Sequence, residues 1–282
     1  MFWMAVCPTG APGAALAISE KNSLEGYSKA VAERRGTILA LIRRQGFMSV
    51  EALVAHFGVT PQTIRRDINE MDAEGLLRRY HGGAGLPSSA ENVGYPTRKI
   101  LFLEEKRRIA QAVAAAIPDG ASLFINIGTT TEEVARALLQ HRRLRVITNN
   151  IHVASLLVQA EDSEVIIAGG TVRKSDGGIV GAATVDLVDQ FRVDFGIIGI
   201  SGIDLDGTLL DYDHREVRVA QAIIRNARRV FLASDHSKIG RPAMVRLGAI
   251  GEVAAFFTDR PPPEPLQALM RAAGVELHVA AA

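Results

Sequence analysis

Thr60-Pro61-Gln62-Thr63-Ile64-Arg65-Arg66-Asp67 reads as the opening of a helix that presents polar and cationic side chains along one side. Thr60 supplies an N-cap oxygen, and Pro61, at the first helical position, has no amide hydrogen to leave unsatisfied. Ile64, Ile68 and Met71 recur at i, i+4 and i+7 and define an apolar face. Gln62, Thr63, Arg65, Arg66 and Asn69 occupy the remainder and have the donors that phosphates and base edges accept.

The flanking residues complete a unit around this helix. Ser49 caps a shorter helix through His56 and Phe57, with Val50, Leu53, Val54 and Phe57 as its buried side, and Gly58 supplies the turn into Thr60. A helix, a short Gly-containing turn and a second helix with outward Gln and Arg form a helix-turn-helix, whose second helix enters the DNA major groove. An earlier helix over 30–45, with Val31, Ile38, Leu39 and Ile42 on one side and Gly46 as its stop, braces the pair. After Gly75, the stretch Leu76 to Ala84 reads as a short hairpin with a basic edge, a wing that brings Arg78, Arg79 and His81 to the DNA backbone. A single basic run reads as solvated surface. Two basic segments flanking one compact three-helix pattern read as a DNA-binding domain.

Thr60 to Asp67, followed by Arg79-Tyr80-His81-Gly82-Gly83-Ala84, resembles the DeoR-type bacterial repressors. The resemblance implies a winged helix in which Gln62, Thr63, Arg65 and Arg66 meet operator DNA while Arg78, Arg79 and His81 hold the flanking backbone.

At 282 residues with 48% hydrophobic content, the chain is long enough for two domains, the larger with a substantial core. The net charge is only +1, but residues 28–100 hold 11 Lys or Arg against 7 Asp or Glu, whereas 101–282 hold 20 against 22. The excess basicity accompanies the helix-turn-helix, where phosphate neutralisation requires it. One cysteine, Cys7, excludes an intramolecular disulfide framework and a Cys-based metal site, as in a reducing cytoplasm. Residues 1–27 begin with a short apolar run that lacks a basic leader and is too short to span a bilayer, and they read as a disordered extension or an upstream start. The expected organisation is therefore an extension over 1–27, a winged helix over 28–85, a linker over 86–100 rich in Pro, Ser and Gly, and an α/β domain over 101–282.

In that last domain, seven short apolar runs alternate with helical stretches: Ser122 to Ile127, Leu144 to Thr148, Glu164 to Ala168, Phe195 to Ile200, Arg229 to Ala233, Ala254 to Thr258 and Val275 to Val279. Alternation of this kind predicts a mostly parallel sheet covered on both faces, with any ligand at the carboxyl ends of the strands. The first run is followed by Gly128-Thr129-Thr130-Thr131 and a helix, an arrangement of backbone N–H groups, hydroxyls and helix dipole that suits a phosphate. Taken alone, it is equally a capped helix start. Asn149 and Asn150, Gly169 and Gly170, Ser201 to Asp204, and Ser234 to Lys238 follow other runs and are expected at the same end. Lys238 offers a point charge for the phosphate, and Asp204 or Asp235 an acceptor for hydroxyls. Asp235 reads equally well as a cap.

Ile127 to Thr130, Thr148 to Asn150, Gly177 to Gly181, Gln190 to Gly196, Gly199 to Asp204 and Asp235 to Gly240 resemble the sugar-phosphate-sensing domain of the same family, which is similar in fold to ribose-5-phosphate isomerase. The resemblance spans 30 to about 265 and implies a fold of two parts: an α+β winged helix-turn-helix, then an α/β domain with a mostly parallel sheet. It implies that Gly128, Thr129, Thr130, Asn149, Asn150, Asp204, Glu216 and Lys238 bind the effector. It points to the branch of the family that answers to sn-glycerol 3-phosphate, with another sugar phosphate as the alternative. Arg215-Glu216 matches the isomerase segment with its catalytic glutamate, but Ser201-Gly202-Ile203-Asp204 departs from the isomerase pattern and its lysine is missing near Gly207 to Asp211. Lacking that cation, the pocket is expected to bind without turnover. No His pair with metal-ligand spacing and no dinucleotide fingerprint occurs, so no cofactor is expected. A winged helix alone has few contacts, and a homodimer or homotetramer joined through the sensing domains is expected on double-stranded operator DNA.

Overall fold

In the computed structural model, which describes residues 30–42, 44–45, 47–74, 76–80, 82–85, 92–160 and 162–280, the chain divides into two units, one up to residue 87 and one from 88. In the first, residues 30–42, 44 and 45 are helical (α1). They are followed by β1 (Phe47–Ser49), α2 (Val50–Phe57), α3 (Pro61–Ala73), β2 (Arg78–Tyr80) and β3 (Gly83–Gly85). Ser49 Oγ accepts from Ala52 N and caps α2, and Gly58 ends it in the left-handed conformation at φ 63°. Thr60 Oγ1 accepts from Thr63 N and caps α3, with Pro61 in its first turn. Ile38 and Ile42 of α1, Leu53 of α2, and Ile64, Ile68 and Met71 of α3 close into one core with Leu77 and Ala84. The wing is three-stranded rather than a hairpin. β3 pairs antiparallel with both β2 and the unanticipated β1, in the order β1-β3-β2. Gly83 must be glycine there, because a Cβ would stand 2.2 Å from the Met48 carbonyl oxygen and 2.4 Å from the Phe47 ring.

The second unit begins, among the described residues, with Asn92-Val93-Gly94 and α4 (Tyr95–Ile100). The linker reading therefore does not hold over 92–100, and residues 86–91 lie outside the described set. Pro96 sits in the first turn of α4, where it costs no hydrogen bond, instead of breaking a helix. The chain continues through α5 (Leu103–Ala115), β4 (Ser122–Ile125), α6 (Thr129–Ala137), β5 (Arg145–Thr148), α7 (Ile151–Leu157), β6 (Glu164–Ile167), β7 (Thr171–Val172) and β8 (Ile179–Val180). Next come α8 (Ala182–Val188), β9 (Val193–Ile198), β10 (Gly202–Ile203), β11 (Thr208–Asp211), α9 (His214–Asn226) and β12 (Ala227–Ala233). The unit closes with β13 (Val245–Ala249), β14 (Ala255–Thr258), α10 (Glu264–Ala273) and β15 (Glu276–Val279).

All seven apolar runs are strands of one sheet, in the order β15-β14-β12-β9-β4-β5-β6, and every neighbouring pair is parallel. Alternate side chains feed opposite cores, as strand geometry requires. Leu123, Ile125, Ile197, Phe231 and Phe257 pack with α5, α6 and α7, whereas Phe124, Ile198, Val230, Leu232 and Phe256 pack with α8, α9 and α10. The strand order reverses between β4 and β9. In doubly wound sheets ligands settle in the crevice at that reversal, outside the carboxyl ends. Two small antiparallel sheets, β7-β8 and β10-β11-β13, were not anticipated; they return short excursions of the chain to the rim of this crevice.

Candidate DNA interface and effector site

On α3, Gln62, Arg65, Arg66 and Asn69 are exposed and follow one another at i, i+3, i+4 and i+7, so they share a face. Thr63 is half-buried, and its hydroxyl lies 2.9 Å from that of Thr60, so it belongs to the cap as much as to the face. Arg66 Nε donates to Glu70 Oε1 at 2.9 Å. Arg78 and Arg79 are exposed on β2, where Arg79 Nη1 donates to Asn69 Oδ1 at 2.8 Å and its amide donates to Asp72 Oδ1 at 3.1 Å, tying the wing to α3. His81 lies outside the described residues. Asp67, the last residue of the opening stretch, is 2% exposed and faces α1. It accepts from Arg34 Nε at 2.6 Å, Arg34 Nη2 at 3.3 Å and Arg35 Nε at 3.3 Å, and Arg35 also pairs with Glu70. The basic excess of this unit is therefore not all directed at a partner: Arg34 and Arg35 hold α3 in place.

At the strand reversal of the second unit, the loop after β4 and the loop after β9 face each other. Gly128 opens α6 at φ 150°, a conformation that glycine tolerates, and no side chain caps the helix. Thr131 Oγ1 instead turns back to the Asn126 and Gly128 carbonyls at 2.7 and 2.8 Å, fixing the loop from behind. The first-turn amides of α6 are left to face the crevice with the positive end of the helix dipole. A small cavity of about 30 Å³ lies there, lined by Gly128, Thr129, Thr130, Ser201, Asp211, Glu216, Lys238, Asn92 and Arg98. It adjoins a second of about 160 Å³, which shares Asn92, Arg98, Ser201, Asp211 and Glu216 and adds Tyr95, Arg173 and Asp176.

The two ends of this space differ in charge. At the α6 end, Lys238 is pulled down to about 7 by burial and by the neighbouring cations Arg241, Lys106 and Arg98, with Asp235 opposing the shift. Lys106, 3% exposed on α5, donates to the Arg98 carbonyl and is pulled down to about 8, chiefly by burial. At the other end, Asp211 accepts from Ser201 Oγ at 3.0 Å and from the Tyr212 amide at 2.7 Å, and burial pushes its carboxyl up. Glu216 is pushed up to about 8 by burial and by Asp211, although Arg173 Nη2 donates to it at 2.6 Å. Arg173 further binds Asp176 and Asp213, which holds the carboxyl wall together.

Of the residues expected around the effector, Gly128, Thr129, Thr130, Glu216 and Lys238 line this one space. Asn149, Asn150 and Asp204 do not. Asn149 Nδ2 donates to the Ile179 carbonyl at 3.0 Å, and Asn150 caps α7. Asp204 begins the turn between β10 and β11, its carbonyl accepting from the Gly207 amide at 3.0 Å. Asp235 takes its capping alternative, accepting from the Ser237 amide at 3.0 Å. Sequence reasoning missed Asn92, Arg98 and Asp211, and it placed Ser201 at the ligand end of the sheet without giving it a contact. Arg98 and Asn92 were hidden in a stretch with linker composition, whereas Ser201 stood in plain view at the end of a strand.

The DeoR-like helix-turn-helix domain matches residues 34–90, and the DeoR C-terminal sensor domain matches residues 102–260. The glycerol-3-phosphate regulon repressor of Escherichia coli (strain K12) is 55% identical over 231 residues, 82% of this chain and 92% of that one. The chain belongs to the DeoR family. A second glycerol-3-phosphate regulon repressor, from Haemophilus influenzae (strain Rd), is 54% identical over 229 residues, 81% of this chain and 89% of its own. These DeoR-family relatives, matched along most of their length, are repressors and not enzymes. The chain is accordingly a DNA-binding transcriptional repressor with a sensor domain. Ribose 5-phosphate isomerase A from Methanocaldococcus jannaschii superposes at a TM-score of 0.37 with 16% identity, over 49% of this chain and 55% of that one, a likeness too slight to bear on function.

Proposed function

We propose that this DeoR-family repressor represses genes of glycerol and glycerol-3-phosphate metabolism and leaves its operator when sn-glycerol 3-phosphate fills the space at the strand reversal. The observation that carries this reading is the polarity of that space. Cations and the α6 amides stand at one end, suited to a phosphate dianion, and the Asp211 and Glu216 carboxyls stand at the other, suited to hydroxyls. A three-carbon polyol phosphate has both ends in reach of each other. The names of the two closely matched relatives support the same ligand. Asn92 and Ser201, between the two ends, complete the polar lining.

Gln62, Arg65, Arg66 and Asn69 read or grip operator DNA, with Arg78 and Arg79 of the wing at the adjacent backbone. Replacing Arg66 by Ala weakens operator binding at least tenfold, or ~1.4 kcal/mol and upward; unchanged binding removes it from the interface. Repression is exerted by a homodimer or homotetramer in the cytoplasm, since one winged helix has too few contacts for a specific site. Among the described residues no helix is long and apolar enough to cross a membrane. Light scattering on and off DNA tests the assembly, and only monomer in both would refute it.

Binding is tested by thermal shift against a panel of phosphate esters, because a ligand of the folded state raises apparent stability by mass action. A saturable shift with sn-glycerol 3-phosphate, and none with inorganic phosphate, glycerol or hexose phosphates, is expected. A shift with another ester alone would change the signal assigned to the repressor.

A further inference from the structure

Residues 92–100 form a strap along the sensor cavity, which Asn92, Val93, Gly94, Tyr95 and Arg98 line, and their polar contacts tie them to the sensor domain. Asn92 Nδ2 donates to Ser201 Oγ at 3.3 Å, and Asn92 Oδ1 accepts from Arg241 Nη2 at 2.9 Å. Tyr95 Oη donates to Glu132 Oε2 at 2.9 Å, and its ring stacks on His152 with centroids 5.3 Å apart. Arg98 Nη2 donates to Asp176 Oδ2 at 3.2 Å, while both oxygens of that carboxylate are also taken by Arg173. The Arg98 Nε–H is buried and finds no acceptor. A guanidinium N–H left without an acceptor is costly, and the cavity it lines holds the α6 amides and Lys238. An anion beside Arg98 would offer its guanidinium an acceptor and offset the like charge that, after burial, pulls Lys238 down.

The position of the strap in the chain gives this contact a second meaning. Asn92 stands seven residues after Gly85, the last residue of the wing, a span of at most about 25 Å of extended chain. The residue that completes the anion site is thus carried by the segment that leads directly out of the DNA-binding unit.

We propose that Arg98 is a phosphate ligand of the sensor and that, through it, occupancy of the cavity fixes the strap and thereby lowers operator affinity. The proposal rests on the sensor-site reading above. A bound phosphate ester bridges the α6 amides, Lys238 and Arg98, so it prefers the strap seated on the sensor. Operator binding prefers another setting of the same segment. Ligand and DNA then oppose each other by the same factor in both directions, as linkage demands.

The experiment uses the full-length protein, an operator fragment selected by the unaltered protein from random DNA, and sn-glycerol 3-phosphate as probe. Calorimetry without DNA gives probe affinity; fluorescence anisotropy gives operator Kd with and without probe at a concentration that saturates each variant. Arg98→Ala is expected to weaken probe binding at least tenfold. Tyr95→Phe, which loosens the strap, is expected to cut the ratio of the two operator Kd values at least fivefold even at saturation, a readout that lost stability alone would not move. In the unaltered protein, saturation is expected to slow hydrogen exchange of the Arg98 and Leu101 amides, which bond the Gly94 and Thr97 carbonyls. That measurement stands even if a variant fails to fold. Probe binding that survives Arg98→Ala intact, an unchanged ratio in Tyr95→Phe, or unaltered exchange at these amides would overturn the strap's role while leaving the sensor site standing. If the unaltered protein binds no phosphate ester, the sensor reading falls, and the strap with it.

Discussion

Asp67→Ala should unfasten the recognition helix from the helix behind it. The carboxylate is 2% exposed and receives three guanidinium hydrogen bonds, at 2.6, 3.3 and 3.3 Å, from Arg34 and Arg35. Removing one partner of a buried ion pair leaves the other charge uncompensated and costs ~3–5 kcal/mol. Here the arginine side chains retain 14% and 20% exposure, and Glu70 still holds Arg35, so the lower end applies, ~3 kcal/mol. In a domain of this size each kcal/mol displaces the melting temperature by about 4–8 °C, so the winged helix should melt at least ~12 °C earlier. Scanning calorimetry of the full-length protein reads this as the displacement of one transition, with the sensor transition and its stabilisation by a phosphate ester left in place. Operator affinity falls with the same variant, because α3 loses its fixed angle to α1. A double-mutant cycle with Arg34→Ala should show that the two losses are far from additive. A displacement under ~4 °C, or additive losses, would refute the claim that this carboxylate anchors α3 rather than serving as one more solvated charge.

Gly83→Ala puts a methyl group 2.2 Å from the Met48 carbonyl oxygen, so β3 can no longer sit between β1 and β2. Operator binding in gel shift should be lost while the ester-induced thermal shift persists; normal operator binding would contradict the wing's architecture. For pH, the sign follows from Lys238, whose folded value without ligand is pulled down to about 7 and must rise when an anion binds. Below 7 the ammonium is already formed, and binding takes up no proton there. Above 7 each binding event takes up one proton, so affinity declines by up to about tenfold per pH unit. Calorimetry in buffers of different ionisation enthalpy measures that uptake directly, and Lys238→Met should reduce it, Lys106 and Glu216 retaining their own shifts. Equal affinity at pH 7 and pH 8.5 would show that Lys238 does not face the anion.

The legible parts of the chain were those whose physics is local. The spacing of Ile64, Ile68 and Met71, the caps at Ser49 and Thr60, and seven apolar runs each follow from a few adjacent residues, and all have their expected structural roles. What escaped depends on partners distant in sequence. Phe47 to Ser49 is too short to announce a strand and becomes one only by pairing with Gly83 to Gly85. Asp67 stands at the end of an Arg-Arg-Asp run and Lys106 within Glu-Glu-Lys-Arg-Arg, where nothing local signals burial, yet each is buried because another element supplies its partner. Asn149 and Asn150 end a strand next to the reversal, as polar residues of the site do, but Asn149 Nδ2 donates to the Ile179 carbonyl and Asn150 caps α7. Conversely, Gly94 and Pro96 disguised a helix as a linker and concealed Arg98 within it.

Release of operator by ligand is what the sensor cavity must accomplish. Fluorescence anisotropy of the full-length protein on its selected operator, titrated with sn-glycerol 3-phosphate, should show operator Kd rising at least tenfold, with a midpoint near the ester's own calorimetric Kd, and no response to glycerol or inorganic phosphate. Operator occupancy that stays constant at ester concentrations shown by calorimetry to saturate the protein would contradict it.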